Sequence, residues 1–148
     1  MSLRIDENEV VDLLRSLVAV PSVNPSMDPN SAGEGAIGDL VIAWARAEGF
    51  ATETQEVRPG RKNVIVDLGV SERPTLALVT HLDTVPFGQM TDRARSVSVE
   101  GGKVYGRGAC DAKGSLAAML IALRALREHH HALPVNVVVA AMMDEEHT

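Results

Sequence analysis

Three short segments concentrate the side chains that could do chemistry. Residues 80–86 read THLDTVP, residues 106–115 read GRGACDAKGS, and residues 144–148 read DEEHT. Imidazole and carboxylates together suit zinc. His81 and Asp83 stand two apart, so on extended backbone they face the same way. A carboxylate at Asp83 could then hold the imidazole in one tautomer. The adjacent acids Glu145 and Glu146 allow a division of labour. One can bind metal while the other takes a proton from an activated water.

Each segment also has a plainer reading. A histidine after a strand can be a hydrogen-bonded loop residue. Asp111 precedes a helical stretch, where an N-cap is its simplest role. An acidic pair after a strand can be a solvated turn. The metal reading gains its force from the three segments occurring together.

The elements around them must supply the geometry. Residues 75–80, TLALVT, form a nearly continuous apolar run, which suits a central strand buried on both faces. Residues 135–143 form the strongest strand signal. In open α/β sheets, ligands gather outside the carboxyl ends of strands. Two such strands would deliver His81, Asp83, Glu145 and Glu146 to one edge.

A first helix opens with capping-box spacing between Asp6 and Glu9, carries an apolar stripe over residues 10–18, and ends at Pro21. A loop with three prolines follows. A second helix should span residues 34–48, with Ile37, Leu40, Val41 and Trp44 on one face and Gly49 as its stop. Residues 51–57 and 63–69 alternate and should pair through a turn at RPGRK. A short hairpin turns at Gly101 and Gly102. A third helix covers roughly residues 113–130. The pattern predicts an α/β fold: a layered central mixed sheet flanked by helices.

Composition narrows the function. The chain has 148 residues, 45% of them apolar and only 3% aromatic. Its net charge of -6 argues against a nucleic-acid surface, which needs a basic patch. No run of about 18 apolar residues exists to span a membrane. Acidic residues near the N-terminus interrupt any signal peptide. The single cysteine, Cys110, excludes an internal disulfide and suits a reducing cytoplasm.

HLDTVP, GRGACDAKGS and DEEHT, in this order and at these separations, resemble the zinc-dependent aminoacylases and carboxypeptidases of the M20 peptidase group. That group includes acetylornithine deacetylase, succinyl-diaminopimelate desuccinylase and glutamate carboxypeptidase. The resemblance extends to LLRSLVAVPSVNP near the start. It implies that His81 and Glu146 are ligands of two different zinc ions, that Asp111 bridges them, that Asp83 orients His81, and that Glu145 is the general base. It also implies a cis peptide between Asp111 and Ala112. Cobalt or manganese are possible substitutes for zinc.

The implied activity is hydrolysis of the amide bond in N-acyl amino acids or small peptides, with a lean towards the deacetylase and desuccinylase branch. The resemblance further implies a homodimer in the complete protein. It calls for a later carboxylate ligand, a late histidine ligand and a lid or dimerisation domain, for which residues 1–148 have no place. Residues 1–148 thus read as the N-terminal portion of a zinc-exopeptidase-type catalytic domain.

Two other readings stand beside the enzyme. One is a metal-binding fragment without turnover. The other is a nucleotide-binding module on GRGACD, although Asp111 replaces the third glycine of the dinucleotide fingerprint. Lys113 and Gly114 also stand in the wrong order for a phosphate loop. The run His129 to His131 at a helix end, the exposed His147 and the packed Cys110 are given no catalytic role.

Overall fold

A computed structural model of the chain describes residues 3–70, 72–88 and 96–147. Thr148, the last residue of the third motif, lies outside them. Three α-helices run over Glu7–Ala19 (α1), Gly35–Ala47 (α2) and Lys113–Arg127 (α3). Six strands run over Ala51–Arg58 (β1), Arg61–Asp67 (β2), Thr75–His81 (β3), Ser98–Glu100 (β4), Lys103–Tyr105 (β5) and Asn136–Met142 (β6). The main sheet has the order β1-β2-β6-β3, with β3 parallel to β6 and the other pairs antiparallel. β4 and β5 form a separate ribbon.

The period-two pattern of β2 and β6 sets the core. Val64 and Val66 on β2 share a face with Ala141 and Val139 on β6, their register partners. This face joins one hydrophobic core with Leu13 and Leu17 of α1, Ile37 and Val41 of α2, and Leu116, Leu120 and Leu123 of α3. Full burial of such a side chain contributes about 1.5–3 kcal/mol.

The helix starts differ from their sequence patterns. At α1 the Asp6 carboxylate accepts from the amide of Asn8, two residues on. Glu9 closes no capping box and instead pairs with Arg124 of α3. The buried face of α2 is Ile37, Gly38, Val41, Ile42 and Ala45, while Leu40 and Trp44 lie at its half-buried margin. α3 ends at Arg127, and the three histidines follow it in a short 3-10 turn region.

The largest correction concerns β3. Its apolar run predicts a strand buried on both faces, yet β3 is an edge strand paired only with β6. Leu76 is 50% exposed and Val79 60%. They are three apart, so they point to opposite faces, and neither face is covered at those positions. β6, by contrast, has a neighbour on each side. Hydrophobicity alone reports burial in a complete sheet, not which strand closes the edge. Only the end of β3, at Thr80 and His81, is buried.

The loop entering α3 is packed tightly. Gly108 has φ +80, and a Cβ there would lie 2.8 Å from Thr84 Cγ2 and 3.1 Å from the stem of Lys113. Lys113 is buried, and its Nζ donates to the Val20 carbonyl at 2.8 Å. Burial depresses its pKa to about 8.

Two outcomes follow from this packing. Gly108→Ala should destabilise the chain by about 1–3 kcal/mol, measured by denaturant unfolding, because backbone strain and overpacking coincide. The chain should also self-associate through the open β3 edge, and lysines in place of Leu76 and Val79 should reduce that association. Light scattering showing a concentration-independent monomer for the unmodified chain contradicts the second expectation.

Candidate metal centre

Parallel pairing brings the ends of β3 and β6 side by side. His81 is in register with Met142, and the amide of Leu82 donates to the Met142 carbonyl at 2.8 Å. The residues after each strand therefore emerge at one sheet edge. From β3 come His81 and Asp83; from β6 come Asp144, Glu145 and Glu146. The loop before α3 brings Asp111 to the same place.

The distances are short. His81 Nε2 lies 3.0 Å from Asp111 Oδ1 and 3.8 Å from Glu145 Oε2. One ligand atom from each of His81, Glu145 and Glu146 can be chosen so that all lie within 4.8 Å of one another. Asp111 joins this group through His81. It does not cap α3, whose N-cap is Ala112 without a side-chain bond. The peptide between Asp111 and Ala112 is cis.

His81 is oriented in a way the motif only half reveals. Its Nδ1 is 3.0 Å from the backbone carbonyl of Asp83 and 3.5 Å from the Asp83 carboxylate. A hydrogen on Nδ1 leaves Nε2 free to act as a ligand. The Asp83 carboxylate has other donors. It accepts from Asn24 Nδ2 at 2.6 Å, from the Glu145 amide at 3.1 Å and from the Glu146 amide at 2.9 Å.

The electrostatics follow from these contacts. Hydrogen bonding to Asp83 raises the His81 pKa to about 9, against the opposing effect of burial and with help from Asp111. Burial alone would raise Asp83, but His81, Asn24 and the two amides bring it down to about 2. Burial raises the Glu146 pKa, and the nearby Asp111 adds to that. Glu146 thus sits among like charges.

Such a donor set fits divalent cations. Two side chains suit zinc by type, imidazole and carboxylate, and the crowding of Asp111, Glu145 and Glu146 favours a bound positive charge. The side chains of Asp111 and Glu145 are 78% and 61% exposed, so both can reorient onto an ion.

Four residues near the site escaped the sequence reading: Asn24, Glu34, Arg61 and the positioning part of Asp144. Only Glu34 left a trace, since it falls in helical register with the apolar Ile37 and Val41. The nucleotide reading loses its context: the strand before GRGACD is β5 of the small ribbon, not a parallel strand of the main sheet.

With fold and site in place, similarity to known proteins can be weighed. Residues 77–148 match the profile of Peptidase family M20/M25/M40. The chain is 33% identical over 140 residues to an acetylornithine deacetylase of Proteus mirabilis, covering 92% of this chain and 35% of that protein. It is 32% identical over 143 residues to a succinyl-diaminopimelate desuccinylase of Beijerinckia indica, with coverages of 92% and 35%. The chain thus spans about a third of the length of these curated relatives. Its fold matches an M20 metallo-carboxypeptidase from Sulfolobus solfataricus with a TM-score of 0.76 at 23% identity, over 96% of this chain and 32% of that one. It also matches a dinuclear metal-binding M20 peptidase of Bacillus subtilis with a TM-score of 0.63 at 18% identity, over 94% and 36%. The sheet-and-helix unit thus has the fold of the M20 peptidases of known structure. The chain belongs to the M20 peptidase family.

Asp83→Asn should destabilise the metal-free chain by about 1–3 kcal/mol in denaturant unfolding, because an amide nitrogen would face donors at a fully buried position. An unchanged midpoint would mean that the carboxylate does not hold the site.

Proposed function

We propose that this chain carries the metal-binding face of an amide-bond hydrolase acting on N-acyl amino acids or small peptides. The observation that carries the reading is the convergence of His81, Asp111, Glu145 and Glu146 at the carboxyl edge of β3 and β6. The names of the curated relatives support a deacylase of N-acetyl or N-succinyl amino acids.

In this reading His81 and Glu146 would each hold one of two divalent ions, with Asp111 shared between them. Zinc is the proposed metal, with cobalt or manganese as substitutes. When bound, such ions would supply an acidified water and polarisation of the scissile carbonyl. Glu145 takes the proton of the attacking water and delivers it to the departing amine nitrogen. Asp83 keeps His81 in the tautomer whose Nε2 faces the ions. The chain then represents the N-terminal portion of the catalytic domain, and a lid or dimerisation domain and further ligands belong to the rest of the protein. We further propose a homodimer, in the cytoplasm, with no nucleic-acid or membrane partner. Cys110, which the sequence suggests is packed, is instead exposed, because it lies in the loop before α3 rather than in the core; this free thiol and the acidic charge support the setting. No helix among the described residues is long and apolar enough to cross a membrane.

One observation favours a second reading, metal binding without turnover. Each proposed ion has Asp111 and a single other protein ligand here, whereas a catalytic zinc usually has three. Zinc titration with an activity assay on residues 1–148 separates the two, since turnover at enzymatic rates excludes the second.

For the whole gene product, Glu145→Gln should lower kcat on N-acyl amino acids with zinc by about 10²–10⁴-fold while zinc still binds. Wild-type turnover in that variant removes Glu145 from the mechanism.

A further inference from the structure

A chain of charged and polar side chains runs behind the site. Glu34 precedes α2 and its side chain is fully buried, yet it makes no cap bond. It accepts from Arg61, the first residue of β2: Arg61 Nε lies 3.1 and 3.0 Å from its two oxygens, and Arg61 Nη2 lies 2.9 Å from Oε1. The same Nη2 donates to Asp144 Oδ1 at 2.7 Å. Asp144 Oδ1 also accepts from Asn24 Nδ2 at 3.1 Å, and Asn24 Nδ2 reaches Asp83 at 2.6 Å. Arg58 approaches Asp144 Oδ2 at 3.3 Å.

The backbone of Asp144 explains what this chain of contacts is for. Asp144 has φ +66, the only positive value among the described non-glycine residues. Aspartate tolerates that region better than most residues, but at a cost. The turn sends the next two amides back onto Asp83. Close approach makes the anchor possible: a Cβ on Gly35 would lie 2.8 Å from the Gly60 carbonyl, so the start of α2 sits against the β1–β2 turn that precedes Arg61. A buried ion pair is weak evidence for stability, because desolvation offsets its attraction. Its use here is geometric.

We propose that Arg61, braced by Glu34, is a positioning residue that clamps Asp144 in its left-handed turn and so sets where Glu145 and Glu146 stand relative to His81. Arg61 touches neither ligand nor substrate in this scheme. Its fork binds two carboxylates in fixed directions, which a lysine ammonium cannot reproduce. Only the effect on metal binding rests on the metal-site reading; the turn itself can be tested without metal.

The test uses Asp144→Gly, which keeps the positive φ without strain and removes the Arg61 and Asn24 contacts. Hydrogen exchange is followed by NMR in metal-free protein. The Glu145 and Glu146 amides should exchange about tenfold faster or more, while amides of β2 and β6 keep wild-type protection. Zinc affinity, read by calorimetry, should fall about 10–100-fold. Arg61→Lys should give a smaller shift in the same direction at the same two amides. Wild-type exchange at Glu145 and Glu146 in Asp144→Gly overturns the proposal. Should that variant not fold, wild-type exchange in Arg61→Lys overturns it equally. Absence of zinc binding by the wild type would sink the metal reading alone, since the exchange result still decides the clamp.

Discussion

One buried carboxylate ties the acidic edge of the sheet together. Asp83 is fully buried and accepts three hydrogen bonds from two other chain segments: from Asn24 in the loop after α1, and from the Glu145 and Glu146 amides after β6. Its own segment also pairs with that loop, since the Asn24 amide donates to the Thr84 carbonyl and the Thr84 amide donates to the Ser22 carbonyl. An ionised group taken out of water is tolerated only when hydrogen bonds replace its hydration. Here those bonds come from the backbone that carries the two adjacent acids. The interaction that stabilises Asp83 therefore also fixes the origin of Glu145 and Glu146.

What the sequence reveals and what it hides divide along physical lines. Parallel strands ending in polar residues place those residues at one edge, so the meeting of His81 with Glu145 and Glu146 follows from β3 and β6 being neighbours. The Asp111 loop is legible because a glycine-rich turn precedes a helix. The open edge at β3 is not legible, because Leu76 and Val79 have the same composition whether or not another element covers them. The clamp is hidden for a different reason. Arg61 lies 27 residues from Glu34 and 83 from Asp144, and no local pattern links partners so far apart. The same limit hid the three donors to Asp83, since the motif offers His81 as its only neighbour.

The contrast between anchored and free acids gives the arrangement its logic. Asp83 and Glu34 have no exposed side-chain surface, and each is saturated by donors. Asp111 and Glu145 are largely exposed, and each carboxylate approaches His81 Nε2. Firm placement of a backbone with exposed carboxylates at its tips suits the proposed cation site. Part of the desolvation cost falls on groups that do not bind the ion, while Asp111, the proposed bridging ligand, stays near water; His81 is buried but is held by the Asp83 carbonyl. Were the bridging carboxylate itself buried, it would need either permanent partners or protonation, and both compete with metal. Burial at Asp83 and exposure at Asp111 are thus two halves of one electrostatic solution: the buried charge holds the geometry, and the exposed carboxylate stays available for the proposed ion.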